Sequence, residues 1–330
     1  MGRRLALAGI PLGLSFRFLD PSPDAPAAEV GELIVGEYHD PELLDRLADG
    51  AAAVTYEFEN VPVAAAERVG AIPASAALEA SQDRLVEKQL FRRLGIPTPR
   101  LDVEVDEFPA ILKTRRLGYD GTGQRLVETW EGPDAGHVLE ERVPFDRELS
   151  LLAVRGAGGD TRFYPLVENV HEGGILRTSR VPARNAPQAE AEEYATRLLD
   201  ELGYVGVLAI ELFDVGGRLL ANEFAPRVHN TGHWTIEGAA TSQFENHLRA
   251  VLGLPLGPTD SRSSVLVNLI GRAPAAADVL AVPGAHLHLY GKEPRPGRKL
   301  GHVTLVEPAE ASERALHALV SDARAAKPPL

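Results

Sequence analysis

The chain has 330 residues, more than one hydrophobic core usually serves, so two or three domains of ordinary size are expected. Its 34 Lys and Arg against 47 Asp and Glu leave a net charge of −13, which excludes a broad basic surface for nucleic acid but not a local pocket for a small anion. Cysteine is absent, so disulfides, thiolate chemistry and Cys-ligated metals are excluded as well. No stretch approaches ~20 apolar residues, and "MGRRLALAGIPLG" carries too short an apolar run for a signal peptide. A soluble, cytoplasmic protein with neither a membrane nor a nucleic-acid partner is expected.

In chain order, "LSFRFLD" (14–20) reads as a strand, "DPELLDRLADG" (40–50) as a helix with Asp40 as N-cap and Pro41 in its first turn, and "AAAVTYEF" (51–58) as the next strand. This alternation is that of an α/β domain. In "SQDRLVEKQLFRRLG" (81–95) Ser81 can cap a helix, Val86, Leu90 and Leu94 recur every four residues, Gly95 suits C′ and Pro97 prevents continuation. The start of that helix marks a domain boundary. "AILK", "QRLVET", "GHVLEERV" and "ELSLLAVRG", between residues 110 and 156, look like strands of one small sheet. A helix over 189–203 and a hairpin over 205–224 follow. From residue 255 on, "SSVLVNLIG", "AHLHLYG" and "LGHVTLVEP" before a closing helix form a small α+β piece. There is no internal repeat, and the only biased tract is "PSPDAPAAE".

Three motifs carry chemistry. In "AILKTRRLGYDGTGQRLV" a strand ends in Lys113 and a loop with Gly118, Gly121 and Gly123 follows; glycines free backbone N–H groups to meet an anion, and the lysine supplies a point charge for phosphate. The spacing is neither a Walker A loop nor a dinucleotide fingerprint, and a plain glycine-rich hairpin turn stands as the other reading. In "AIELFDVGGRLLANEF" Glu211 and Glu223 lie on adjacent antiparallel strands. A simple two-residue Gly216–Gly217 loop sets Glu211 opposite Asn222, whereas a bulged, odd-numbered loop pairs Glu211 with Glu223; the bulged form is expected, with Asn222 adjoining the site. Such a pair suits Mg²⁺ bridging to phosphates, the other reading being two solvated strand-face acids. In "TYEFENVP" (55–62) a strand runs into acids at the carboxyl end of an α/β sheet, where ligands bind, while Tyr56 and Phe58 also fit a core. The hairpin then opens into "NEFAPRVHNTGHWTIEG" (222–238), a polar segment without strand or helix period that reads as the floor of a site.

These motifs, with "QDRLVEKQLF", "LGYDGTGQ", "EGGILRTS", "ELGYVGVLAIELF" and above all "NEFAPRVHNTGHWTIEGAATSQFENHLRAVLGLPL", resemble in order, along nearly the whole chain, the N5-carboxyaminoimidazole ribonucleotide synthetase family of ATP-grasp enzymes. The resemblance implies a mixed α/β and α+β chain. It would comprise a truncated Rossmann-like (biotin-carboxylase-like) domain over 1–80, an ATP-grasp domain over 81–254 with a lid at about 108–155, and a small C-terminal domain over 255–330. It also implies ATP-dependent carboxylation of 5-aminoimidazole ribonucleotide with bicarbonate, through carboxyphosphate, in a homodimer using Mg²⁺, or Mn²⁺ in its place.

By the same resemblance Arg84 and Lys113 touch phosphates, and the loop Tyr119, Asp120, Gly121, Thr122, Gly123 and Gln124 closes over them. Glu140, Glu141, Arg142 and Val143 offer backbone bonds to adenine, Glu148 holds the ribose, His171 sits near the nucleotide, and Glu211 and Glu223 carry the metal with Asn222 beside them. Glu57 and Glu59 bind substrate, Asp120, Arg227, His229 and Asn230 form the catalytic set, and Arg298 and Lys299 meet the ribose phosphate. For His233 and Trp234 a substrate contact and a wall of the site both stand; His286 and His288 read as structural sheet positions.

Relatives begin with a strand and a Gly-Gly-Gly-Gln type turn before the helix with which this chain starts, which leads to the expectation of a start placed downstream or a trimmed chain. An extension of about twenty residues would then improve solubility and activity by restoring ladder partners and phosphate-facing amides. Thr122 stands where relatives carry a basic residue, so weaker substrate binding is expected. A formate-dependent glycinamide ribonucleotide transformylase shares Lys113, the loop and the glutamate pair but not "RVHNTGHW"; a non-catalytic nucleotide-binding protein is the alternative of another class. No Gly-x-Gly-x-x-Gly follows a strand, which disfavours a nicotinamide dehydrogenase.

Overall fold

The computed structural model describes residues 1–118, 122–132 and 134–325. Helix α1 (Gly2–Gly9) leads to β1 (Arg17–Asp20) and β2 (Glu32–Val35), which pair in parallel. In α2 (Pro41–Ala48) the Asp40 carboxylate accepts the N–H groups of Glu42 and Leu43, as its position before the proline requires. Residues 51–58, expected as a strand, form none. Alternation selects a face to bury, and Tyr56 is indeed buried against Ala66, Ala71 and Leu78. A strand also needs a ladder partner, and none lies beside this segment among the described residues. Ile72 N–H donates to Val54 C=O and Thr55 Oγ1 bonds His247 Nε2, each at 2.8 Å.

Two helices replace the single one expected at 81–95, after α3 (Val63–Arg68). Ser81 ends α4 (Ser75–Ser81), and α5 (Arg84–Arg93) is capped by Asp83, which accepts Leu85 N–H at 3.1 Å. Gly95 takes the left-handed C′ conformation, φ 66°. The four-residue stripe is buried only in part: Leu90 is buried and Leu94 packs against the core, but Val86 is exposed, and Glu87, Lys88 and Phe91 are buried instead. Packing against the later hairpin selects that face.

The four strands expected in one small sheet divide between two sheets. A three-stranded antiparallel sheet contains β3 (Ala110–Thr114), β4 (Gln124–Val127) and β5 (His137–Glu140), in the order β4-β3-β5. Strand β6 (Arg147–Arg155), placed by the sequence within the lid, belongs to a nine-stranded sheet with β7 (Thr161–Phe163), β8 (Val167–Glu172) and β9 (Ile175–Val181). After α6 (Gln188–Glu201), the hairpin β10 (Gly206–Val215) and β11 (Arg218–Ala225) occupies one edge of that sheet.

Strands β6 and β10 are buried on both faces, which is why they read as unbroken apolar runs. Leu149, Leu151, Leu208 and Ile210 share a core with Phe91 of α5 and Leu198 of α6. Leu152, Val154, Val207 and Ala209 share another with Leu5 of α1 and Phe244 and Leu248 of the later helix 243–251. Each fully buried leucine contributes about 1.5–3 kcal/mol, so this sandwich holds the hairpin rigidly.

Helices α7 (Thr235–Gly238) and α8 (Gln243–Val251) follow, then β12 (Ser264–Ile270), α9 (Ala276–Leu280), β13 (Ala285–Leu289), β14 (Lys299–Val306) and α10 (Glu310–Ala325). The C-terminal strands do not make a sheet of their own. β12 pairs with β9, so they continue the large sheet, in the order β11-β10-β6-β8-β9-β12-β14-β13 with β7 on β6.

Candidate active site

Gly216 and Gly217, with φ of 60° and 82°, form a tight two-residue turn that closes Val215 on Arg218. A regular ladder from that turn would set Glu211 opposite Asn222 and send Glu223 to the other face. Instead Leu212 pairs with Ala221 and Glu211 with Glu223, so Asn222 is the extra residue of a bulge. The expected carboxylate pairing is met, but the bulge lies within the strand and not in the loop. The reason is packing: Leu212, Leu219 and Ala221 are buried in the core and fix the register between turn and bulge. Beyond it the bulge brings Asn222 to the site, where its Oδ1 accepts from Lys113 Nζ at 3.4 Å.

Cations from two other elements converge on this pair. Arg84, at the start of α5, donates to Glu223 Oε2 at 3.1 Å, to Thr114 C=O at 3.1 Å and to Gly118 C=O at 3.2 Å. Lys113, on β3, donates to Glu140 Oε2 at 2.7 Å. Burial disfavours a charge on Glu223, yet Arg84 and Lys113 outweigh it and hold the carboxyl below its usual range. Glu211 is pushed up to about 8, first by burial and then by the Glu223 charge. His171 Nδ1 lies 2.7 Å from Glu148 Oε2, and although burial opposes its charged form, the Glu148 bond and the Glu211 and Glu148 charges raise its pKa. His229 Nε2 lies 3.4 Å from Glu211 Oε1; burial, then the Arg227 and Lys299 charges, keep this imidazole neutral in the physiological range.

The segment after β11 is held by buried amides. Gln243, at the start of α8, accepts His229 N–H at 2.9 Å and donates to His229 C=O at 2.7 Å. Thr231 Oγ1 donates to Asn169 Oδ1 at 2.9 Å, and Asn230 and Asn268 exchange bonds at 3.3 and 3.0 Å. Arg227 forms an ion pair with Glu59 at 2.6 Å. Trp234 is wholly buried, edge-on to Tyr164, so it supports the site from the core, whereas His233 lines it.

One cavity of about 1220 Å³ collects most of the expected residues: Glu57, Glu59, Arg84, Lys113, Gln124, Glu148, His171, Glu211, Asn222, Glu223, Arg227, His229, Asn230, Arg298 and Lys299. Phe58 lines it as well, while Tyr56 is core. Thr122, Gly123 and Glu140 to Val143 do not line it. The Glu140 carboxylate turns inward, and Glu141 N–H already donates to Arg100 C=O at 3.0 Å. Tyr119, Asp120 and Gly121 lie outside the described residues. His286 and His288 sit in β13 opposite Thr304 and His302, as the sheet reading required. Sequence reasoning missed Glu87 and Lys88, both buried on α5. Their signal was readable: Glu87 stands three residues before Leu90 and four before Phe91, and Lys88 three before Phe91, on the side of the helix that those residues bury.

A small sheet and a large one that meet over a long cavity, with acids on a hairpin of one and a lysine on a strand of the other, make the ATP-grasp class of ligases. The ATP-grasp domain model matches residues 100–244, the ribonucleotide synthetase preATP-grasp domain model residues 1–82, and the phosphoribosylaminoimidazole carboxylase C-terminal domain model residues 264–315. The N5-carboxyaminoimidazole ribonucleotide synthase of Pseudomonas aeruginosa is 50% identical over 329 residues, covering 92% of this chain and 91% of its own. The crystal structure of N5-carboxyaminoimidazole ribonucleotide synthetase from Thermus thermophilus superimposes with a TM-score of 0.91 at 55% identity, over 100% of this chain and 97% of that one. That of the Aspergillus clavatus synthase in complex with ADP and 5-aminoimidazole ribonucleotide gives 0.87 at 28% identity, over 98% and 96%. The chain belongs to the N5-carboxyaminoimidazole ribonucleotide synthase family. It is an ATP-dependent ligase of purine biosynthesis, and the transformylase and non-catalytic alternatives fall away.

Proposed function

We propose that this chain joins bicarbonate to the exocyclic amine of 5-aminoimidazole ribonucleotide as ATP becomes ADP and phosphate. A bicarbonate oxygen attacks the γ-phosphorus, ADP departs, and the resulting carboxyphosphate presents a carbonyl to the amine nitrogen. The carbon–nitrogen bond forms, phosphate leaves, and the amine gives up a proton. The observation that carries this reading is one cavity lined by two sets of cations, Lys113 and Arg84 beside the glutamate pair and Arg298 and Lys299 from the C-terminal segment. A triphosphate and a sugar phosphate each need cations, and the acceptor must lie between them for in-line transfer. In this reading His229, neutral and half-buried beside Arg227, takes the amine proton, and Arg227 and Asn230 orient the carboxyl group.

The chemistry of the donors fits Mg²⁺, or Mn²⁺ in its place. Glu211 and Glu223 are hard oxygen ligands registered face to face, and the proton affinity of Glu211 marks an excess of negative charge that a divalent cation would relieve. No group of three or more His, Asp or Glu among the described residues could hold a metal. The remaining ligands would therefore be phosphate oxygens and water, the usual arrangement for this ion. When bound, it would supply charge neutralisation on the phosphates. No helix among the described residues is long and apolar enough to cross a membrane. A cytoplasmic homodimer is the proposed form, resting on the family resemblance.

The deciding measurement is release of ADP by the purified chain with each substrate omitted in turn. Hydrolysis that requires both 5-aminoimidazole ribonucleotide and bicarbonate is expected; turnover that ignores either one overturns the proposal. A second expectation follows from linkage. The folded Glu211 carboxyl titrates at about 8 against an ordinary 4.5, so its stabilising contribution is full below the ordinary value and is lost as pH rises through the folded one. The ligand-free protein should therefore lose thermal stability between about pH 5 and pH 9. Glu211→Gln should flatten that decline in a melting series; an equally steep decline in the variant would refute the assignment.

A further inference from the structure

Behind Lys113, away from the cavity, lies a charge arrangement that the proposed reaction does not itself use. Glu140, at the end of β5, is buried, and two lysines approach the same oxygen: Lys113 Nζ donates to Oε2 at 2.7 Å, and Lys88 Nζ lies 3.5 Å from it. Oε1 has no hydrogen-bond partner, and neither does Lys88 Nζ. Lys88 is 1% exposed and does not line the cavity, whereas Lys113 does. One of the two cations can reach a ligand; the other cannot.

The neighbouring groups assign Lys88 to Glu140. Glu223 faces Arg84 at 3.1 Å, and Asn222 offers only an amide oxygen, to Lys113. Glu87 accepts Phe224 N–H at 2.6 Å, and burial, then the Glu223 charge, raise its carboxyl well above the usual range. Burial lowers the Lys88 pKa, and Glu140 is the first of the charges that oppose this. If Glu140 had Lys113 as its only counter-ion, moving Lys113 toward a phosphate would strand a buried carboxylate, a heavily penalised state. With Lys88 in place, the carboxylate keeps a counter-ion when Lys113 departs.

We propose that Lys88 is a positioning residue that retains the charge of Glu140 so that Lys113 is free to pass from Glu140 to the nucleotide phosphates. This rests on the ATP site proposed above. Lys88 acts through Glu140 and Lys113 and touches no substrate.

The test is calorimetric binding of a non-hydrolysable ATP analogue with Mg²⁺ to wild type, Lys88→Met, Glu140→Gln and the double variant. Lys88→Met should weaken binding at least tenfold, because Lys113 is then held by Glu140 alone. Adding Glu140→Gln should recover most of that loss, a rescue that damage to the helix would not show. Binding of 5-aminoimidazole ribonucleotide should change little throughout. Unchanged affinity in Lys88→Met, or a double variant as weak as the single one, overturns the inference. Failure of wild type to bind the analogue overturns the ATP site along with it. Should Lys88→Met fail to fold, a wild-type crystal structure with the analogue decides: Lys113 on phosphate with Glu140 still beside Lys88 supports the inference, and Lys113 still on Glu140 refutes it.

Discussion

Glu223→Gln is expected to lower kcat by about 10²–10³ while the protein remains folded, the usual cost of removing one group that stabilises transferring charge. The substitution keeps size and one carbonyl oxygen but removes the negative charge that faces Arg84 at 3.1 Å and Glu211 across the ladder. Two consequences follow from the electrostatics. Glu211 loses the repulsion that, after burial, raises its pKa, so it ionises more readily and partly replaces the missing charge. Arg84 loses its carboxylate but keeps the C=O groups of Thr114 and Gly118, so the chain that follows Lys113 stays anchored as far as Gly118. Activity should fall far more than the melting temperature, as steady-state rates and a thermal melt on one preparation would show. A variant within tenfold of wild type would mean that the pair does not act on the phosphates.

Gly232→Val should destabilise the fold by about 3 kcal/mol, the upper range for overpacking a filled core. A Cβ on Gly232 would lie 2.4 Å from Leu152 Cδ1 and 2.7 Å from Gln243 Cδ, and Leu152 is wholly buried in β6. Relief must come from Gln243, the side chain that holds both the N–H and the C=O of His229. Stability and the placement of His229 are therefore expected to fail together, seen as a lower denaturant midpoint and a reduced kcat/KM for 5-aminoimidazole ribonucleotide. A change under about 1 kcal/mol would show that the segment accommodates the added methyl groups at little cost.

Much of the site was legible because its residues are tied to local signals. Lys113 ends an apolar run before glycines, Glu211 and Glu223 flank a Gly-Gly turn, and the polar stretch 222–238 breaks all periodicity after a hydrophobic hairpin. The resemblance then supplied roles that no spacing could. Asp40 as a cap and Gly95 as a helix terminator also needed only their neighbours, since capping is decided within one turn of helix.

What local pattern could not decide depended on partners distant in the chain. Residues 51–58 alternate like a strand but have no ladder beside them among the described residues, and β6 reads like its predecessors yet pairs with β10. The C-terminal strands look self-contained and continue the large sheet through β9. The apolar stripe of α5 pointed to Val86, whereas the hairpin buries Glu87 and Lys88 instead, and with them the charges that govern Lys113.

The sequence by itself determined which chemistry is present: two acids flanking a Gly-Gly turn, a lysine ahead of a glycine-rich loop, and a histidine–arginine–asparagine segment that follows the acids. Only the tertiary structure decided where the bulge falls, which helix face carries buried charge, and which strands share a sheet. Side-chain type and turn propensity are local properties of the chain, whereas register and burial are set by the core that Leu212, Ala221 and Phe91 jointly fill.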